Sequence, residues 1–111
     1  MITYLLTILL FGRVIIITPD IPVNEPVRIT FEQYRVLKCE SNLKQDITGD
    51  HDYPFQAFGI AQFQNRTFNW LSEKLNFKGD INNAEDQLRL FKLAWENGYS
   101  YLWTCARKLG Y

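Results

Sequence analysis

Three of the four prolines stand within eight residues, at Pro19, Pro22 and Pro26. Proline fixes its own backbone and pushes its predecessor toward extended conformations, so neither a helix nor a sheet core runs through this stretch. Residues 19–29 therefore read as a linker between an apolar leader, residues 1–18, and a domain, residues 30–111. A unit of roughly 80 residues buries a modest core and gains from a covalent staple or a partner.

The leader is nearly all apolar from Ile2 to Phe11, breaks at Gly12-Arg13, and resumes as Val14 to Ile17. Its first run has the length of a signal-peptide apolar region, and the whole is just long enough to cross a bilayer. Either reading implies export, and the second implies membrane association. No Lys or Arg precedes the run, Arg13 interrupts it, and no small-residue cleavage site follows. The alternatives are a buried strand pair turning at Gly12 and a misassigned start.

Within the domain, charges of both signs are interspersed from Arg28 onward and the net charge is zero. Without a basic stripe there is no phosphate-neutralising term, which excludes nucleic acid as the expected partner. Aromatic residues make up 15% of the chain, which suits either a dense core or a groove that stacks on flat ligand faces.

A first helix is predicted from Thr30, because Thr30-Phe31-Glu32-Gln33 fits a capping box. Phe31, Tyr34 and Leu37 form one apolar row, with Val36, Cys39 and Leu43 beside it. A polar segment, either an open loop or a small hairpin, is expected over Lys44 to Pro54, then an aromatic segment, Phe55 to Phe63, in which Gly59 implies close backbone approach. A second helix is predicted from Gln64 or Asn65 to Phe77, with Phe68, Leu71 and Leu75 buried and Gly79 as its stop. A third opens at Asn82 or Asn83, where Asn83-x-x-Asp86 resembles a cap, carries Ala84, Leu88, Phe91 and Trp95, and ends at Asn97-Gly98. A short final helix follows. The fold class is mainly α, α+β at most.

Cys39 and Cys105 lie at opposite ends of this domain, and an exported chain is expected to pair them. In a cytosolic chain they would stay as two buried thiols. Two cysteines and the lone His51 do not make a metal site. Glu40 falls three residues after Leu37 and four after Val36, so on a helix it lies over the apolar face. Desolvation there favours the protonated acid, as a general acid requires, although a solvated glutamate near a helix end is the ordinary alternative. His51 reads as a solvated loop residue, Trp95 as core, and Asn65-Arg66-Thr67 as an incidental glycosylation pattern.

Cys39-Glu40-Ser41, followed about twenty residues later by Gly59-Ile60-Ala61-Gln62-Phe63, resembles the catalytic region of lysozyme-like lytic transglycosylases and goose-type lysozymes. The cysteine before the glutamate, Gln62-Phe63 followed by Thr67, and Trp103-x-Cys105 are also similar to the resuscitation-promoting-factor branch, which carries such a cysteine pair. The resemblance spans Thr30 to Cys105 and implies peptidoglycan, or less commonly chitin, as substrate. It implies Glu40 as catalytic acid and base, Ser41 supporting the cleft, and Gln62 meeting an acetamido sugar from the opposite wall. A family tyrosine near the acid corresponds to Tyr99 or Tyr101. Asn42-Leu43 and Ala61 depart from the family pattern, which bears on subsite preference. Tyr53, Phe55 and Phe58 are candidates for a sugar-stacking floor.

Two mechanisms stay open. A hydrolase needs a second carboxylate across the sugar, and Asp46, Asp50 and Asp52 lie in the right loop. A lytic transglycosylase uses Glu40 twice, with the substrate's own hydroxyl as nucleophile. The expectation is a monomeric, exported enzyme without metal or organic cofactor, the favoured version being the transglycosylase. The rivals are a glycan-binding or signalling module and a membrane-anchored structural protein.

Overall fold

Thr30 accepts the Gln33 N–H on Oγ1 at 3.1 Å while Gln33 Oε1 accepts the Thr30 N–H at 2.9 Å, a complete capping box. It starts helix α1, Phe31–Ser41. The computed structural model describes residues 6–8, 15–17, 26–49 and 56–111. Asp50, His51, Asp52, Tyr53 and Phe55, with most of the proline-rich stretch, lie outside them.

The buried face of α1 is Gln33, Val36, Leu37 and Ser41, which keeps Leu37 and Val36 of the two apolar rows read from spacing and leaves out the rest. Phe31 is 69% exposed, and Tyr34, Cys39 and Leu43 are exposed too. Polar Gln33 and Ser41 replace them because each finds a hydrogen-bond partner, which removes the cost of burying an unpaired polar group. Glu40 sits beside this face and is half-buried.

Helix α2, Asn65–Lys74, buries Phe68 and Leu71. It stops earlier than Phe77: Asn76 adopts φ 53°, and the Phe77 N–H reaches back to Ser72 O at 2.8 Å. That pattern is a Schellman closure with asparagine in the left-handed position, so Gly79 is not needed as the stop. Helix α3, Ala84–Glu96, opens on Asn83, whose side chain accepts the Asp86 N–H at 2.9 Å, and closes at Asn97 and Gly98 as its sequence suggests. Its buried stripe is Gln87, Leu90, Phe91 and Ala94, with Leu88 and Trp95 on the flank. A 3-10 turn, Ser100–Leu102, leads into the short helix α4, Thr104–Lys108.

The domain is mainly helical. Helix α1 packs on α4 and α2 on α3, around a core that includes Leu37, Phe63, Leu71, Leu90, Phe91 and Trp103. Trp103 stands edge-on to Phe63 at 5.4 Å and to Phe91 at 4.8 Å between ring centroids, arrangements that suit aromatic quadrupoles. Cys39 and Cys105 form a disulfide, with Cα atoms 6.0 Å apart. It joins α1 to α4, and closing a loop of that length stabilises a domain by roughly 4 kcal/mol in the chain-entropy view.

In the apolar leader, strands β1, Leu6–Ile8, and β2, Ile15–Ile17, pair antiparallel with Leu6 opposite Ile17. The segment between the two strands, Gly12 included, and the burial of the pair lie outside the described residues. Among the described residues no helix is long and apolar enough to cross a membrane.

Candidate active site

Between α1 and α2 the chain forms two short antiparallel bridges, Thr48 with Phe58 and Phe58 with Phe63. The Gly49 N–H donates to Ala57 O at 2.8 Å and the Gly59 N–H to Ile47 O at 2.9 Å. Phe58 and Phe63 exchange both backbone bonds, at 2.9 and 3.0 Å, and so close the tight loop Gly59-Ile60-Ala61-Gln62. Gly59 is obligatory in this loop. Its φ is +84°, and a Cβ there would come within 2.3 Å of Gln87 Nε2.

Four side chains lock this loop by hydrogen bonds to its backbone. Ser41, 2% exposed, donates its hydroxyl to Ile60 O at 2.6 Å and accepts the Leu43 N–H at 3.2 Å. Gln87, 1% exposed, accepts the Ala61 N–H at 2.9 Å and donates to Phe58 O at 2.9 Å and Ile81 O at 2.8 Å. Trp103 Nε1 donates to Ala61 O at 2.8 Å. Gln62 Nε2 donates to Gly59 O at 2.9 Å and Ile47 O at 3.1 Å.

A cleft of about 540 Å³ opens against this loop, lined mostly by polar groups. Glu40, Leu102, Trp103 and Thr104 line it from α1 and the tail, while Ile47 to Gly49, Ala57, Gln62, Phe63, Gln64 and Thr67 line it from the loop side and α2. Glu40 is the one carboxylate among the described lining residues. Its Oε2 accepts the Cys105 N–H at 3.0 Å, and among the described residues Oε1 has no hydrogen-bond partner. Cys105 therefore holds α1 twice, by a covalent bond to Cys39 and by a hydrogen bond to the next residue.

Sequence reasoning named Glu40 and Gln62, and the fold brings both to one cleft. The amide of Gln62 has donated both hydrogens to the protein, so it can offer a ligand only an acceptor oxygen. Ser41 supports the opposite wall from within the core and is too buried to meet a ligand directly. Tyr99 and Tyr101 lie outside the lining: Tyr99 packs edge-on against Trp70 at 5.6 Å, and Tyr101 is 52% exposed. Asp46 is exposed and also outside it. Asp50, Asp52, Tyr53 and Phe55 fall outside the described residues. Among the described residues no cluster of potential metal ligands occurs.

Gln87 was not singled out by sequence reasoning. The signal for it was available, since it precedes Leu90, Phe91 and Ala94 at helical spacing and so falls on the buried stripe of α3. A glutamine there has to find partners, and the loop backbone supplies them.

Fold and site together define a small, disulfide-tied helical domain with Glu40 in a polar cleft. Comparison with protein-family models, curated proteins and solved structures finds no match. The resemblance to lysozyme-like proteins therefore rests on the residues named above.

Proposed function

We propose that this chain is an exported enzyme that cleaves β-1,4 glycosidic bonds of peptidoglycan, with Glu40 acting in turn as general acid and general base. The observation that carries the reading is the half-buried Glu40, fixed by the Cys105 N–H and facing a locked loop across a cleft of saccharide-compatible size. In this mechanism Oε1 holds the proton and gives it to the glycosidic oxygen as that oxygen leaves the anomeric carbon. The carboxylate then takes a proton from a hydroxyl of the same sugar, whose oxygen bonds to the anomeric carbon and closes an anhydro ring. No water needs positioning, and the intramolecular nucleophile supplies the proximity. The disulfide accords with an oxidising compartment and hence with export.

The transglycosylase is the favoured version because it needs no carboxylate besides Glu40; of the three aspartates that would serve a hydrolase, Asp46 lies outside the cleft lining, and Asp50 and Asp52 fall outside the described residues. Mass spectrometry of digested wall decides between the two: anhydro-muramic ends are expected, and reducing ends would assign a hydrolase. Glu40→Gln is expected to lower turnover about a thousandfold without unfolding the domain. Turnover that survives this change would overturn the assignment of Glu40. Binding of wall fragments by the parent chain without product would make it a glycan-binding module.

A further inference from the structure

Outside the cleft, three aromatic rings form a continuous row on the surface. Trp70, 45% exposed, meets Tyr99 edge-on with centroids 5.6 Å apart, and Tyr99 lies 6.3 Å from the half-exposed Tyr101. The row is built on elements that also line the cleft. Thr67 lines the cleft, and Trp70 and Lys74 follow it at i+3 and i+7 on α2, on one stripe of that helix. Leu102 lines the cleft from the other side, directly after Tyr101.

Two cations accompany the rings. Lys74 Nζ stands 5.9 Å from the centroid of Trp70, and the exposed Arg107 donates to the backbone oxygen of Tyr101 and to Thr104 Oγ1. Exposed large rings are disfavoured by water unless something covers them. Here the rings carry an indole N–H and phenol hydroxyls at their rims, so they suit a ligand with apolar C–H faces and hydroxyl edges. The cations add a preference for carboxylate substituents.

We infer that the row Trp70–Tyr99–Tyr101 is a second saccharide-binding site, which stacks the part of an acidic amino-sugar strand that extends beyond the cleft. The inference rests on the proposed glycan substrate but not on the identity of the acid. Rings placed beyond the reacting sugars hold a polymer near the cleft without taking part in the chemistry. Lys74 and Arg107 select strands whose sugars bear carboxylates over neutral ones.

The test uses the full chain with Glu40→Gln, so that strands are bound and not cut. Retention on purified wall glycan is measured with the row intact and with Trp70→Ala/Tyr101→Ala. The double change is expected to weaken retention about tenfold, with Trp70→Phe/Tyr101→Phe restoring most of it, since a ring remains. Lys74→Gln is expected to weaken binding of carboxylate-bearing strands and to leave neutral amino-sugar strands unaffected. Equal retention by the alanine variant and its parent overturns the inference, as does failure of phenylalanine to rescue. Retention that depends on the row in a chain lacking Glu40-dependent turnover would remove the enzyme and leave the second site standing. Turnover that depends on Glu40, with retention indifferent to the row, would do the reverse.

Discussion

The two walls of the cleft are built on opposite plans. The Gly59–Phe63 loop is held by many weak bonds: Ser41, Gln62, Gln87 and Trp103 all reach its backbone or that of its neighbours. The Glu40 wall is α1, which packs Val36 and Leu37 into the core, but the carboxylate itself is placed from α4, by the disulfide of the preceding residue and one hydrogen bond. A wall held by several buried bonds resists local opening, because each broken bond strands a polar group in the core. A wall held by a disulfide depends on the redox state of its surroundings. The loop is thus tied to several elements at once, whereas the carboxylate of Glu40 is placed from α4 alone.

Reduction of Cys39–Cys105 should produce the largest effect and should strike the Glu40 wall. It is expected to cost about 4 kcal/mol, or roughly twenty degrees in Tm, read by thermal unfolding with and without reductant. Gln87→Leu should strike the other wall, because the Ala61 N–H and the Phe58 and Ile81 carbonyls lose their shared partner. About 3 kcal/mol is expected, with faster amide exchange at Ala61 and unchanged exchange at Cys105. Faster exchange at both amides would show that the walls are one cooperative unit. Ser41→Ala should cost about 2 kcal/mol, since it leaves the buried Ile60 carbonyl without its hydroxyl donor. As Ser41 belongs to α1 and bonds to the loop, exchange in both walls should rise, and a loss confined to α1 would cut this link between them.

What was legible in the sequence was mostly local. The caps at Thr30 and Asn83 and the stop at Gly98 follow from residue chemistry within a few positions, and the structure keeps them. The apolar row Phe31–Tyr34 misled, because periodicity counts aromatic residues as core and polar Gln33 and Ser41 as surface. Their burial depends on partners that the helix alone does not contain, including the Ile60 carbonyl nineteen residues from Ser41. Gln87 and the indole of Trp103 escaped for the same reason, since their partners lie 26 and 42 residues away in Ala61. Glu40 could be singled out because its phase on α1 and its neighbouring cysteine are both local, although the N–H that orients it is not.

That last bond fixes when the site can come into being. Glu40 and the amide that holds it are 65 residues apart, and the Arg35 guanidinium reaches Tyr111 over 76. During synthesis α1 emerges long before its partners, and contacts so distant along the chain form late because loop closure precedes any gain from them. The loop wall, whose sequence lies between, gains the Gln87 bonds as α3 arrives and its Trp103 bond only with the tail. Orientation of the Glu40 side chain therefore waits for the tail, so a nascent chain can hold its first helices before the Glu40 side of the cleft is complete.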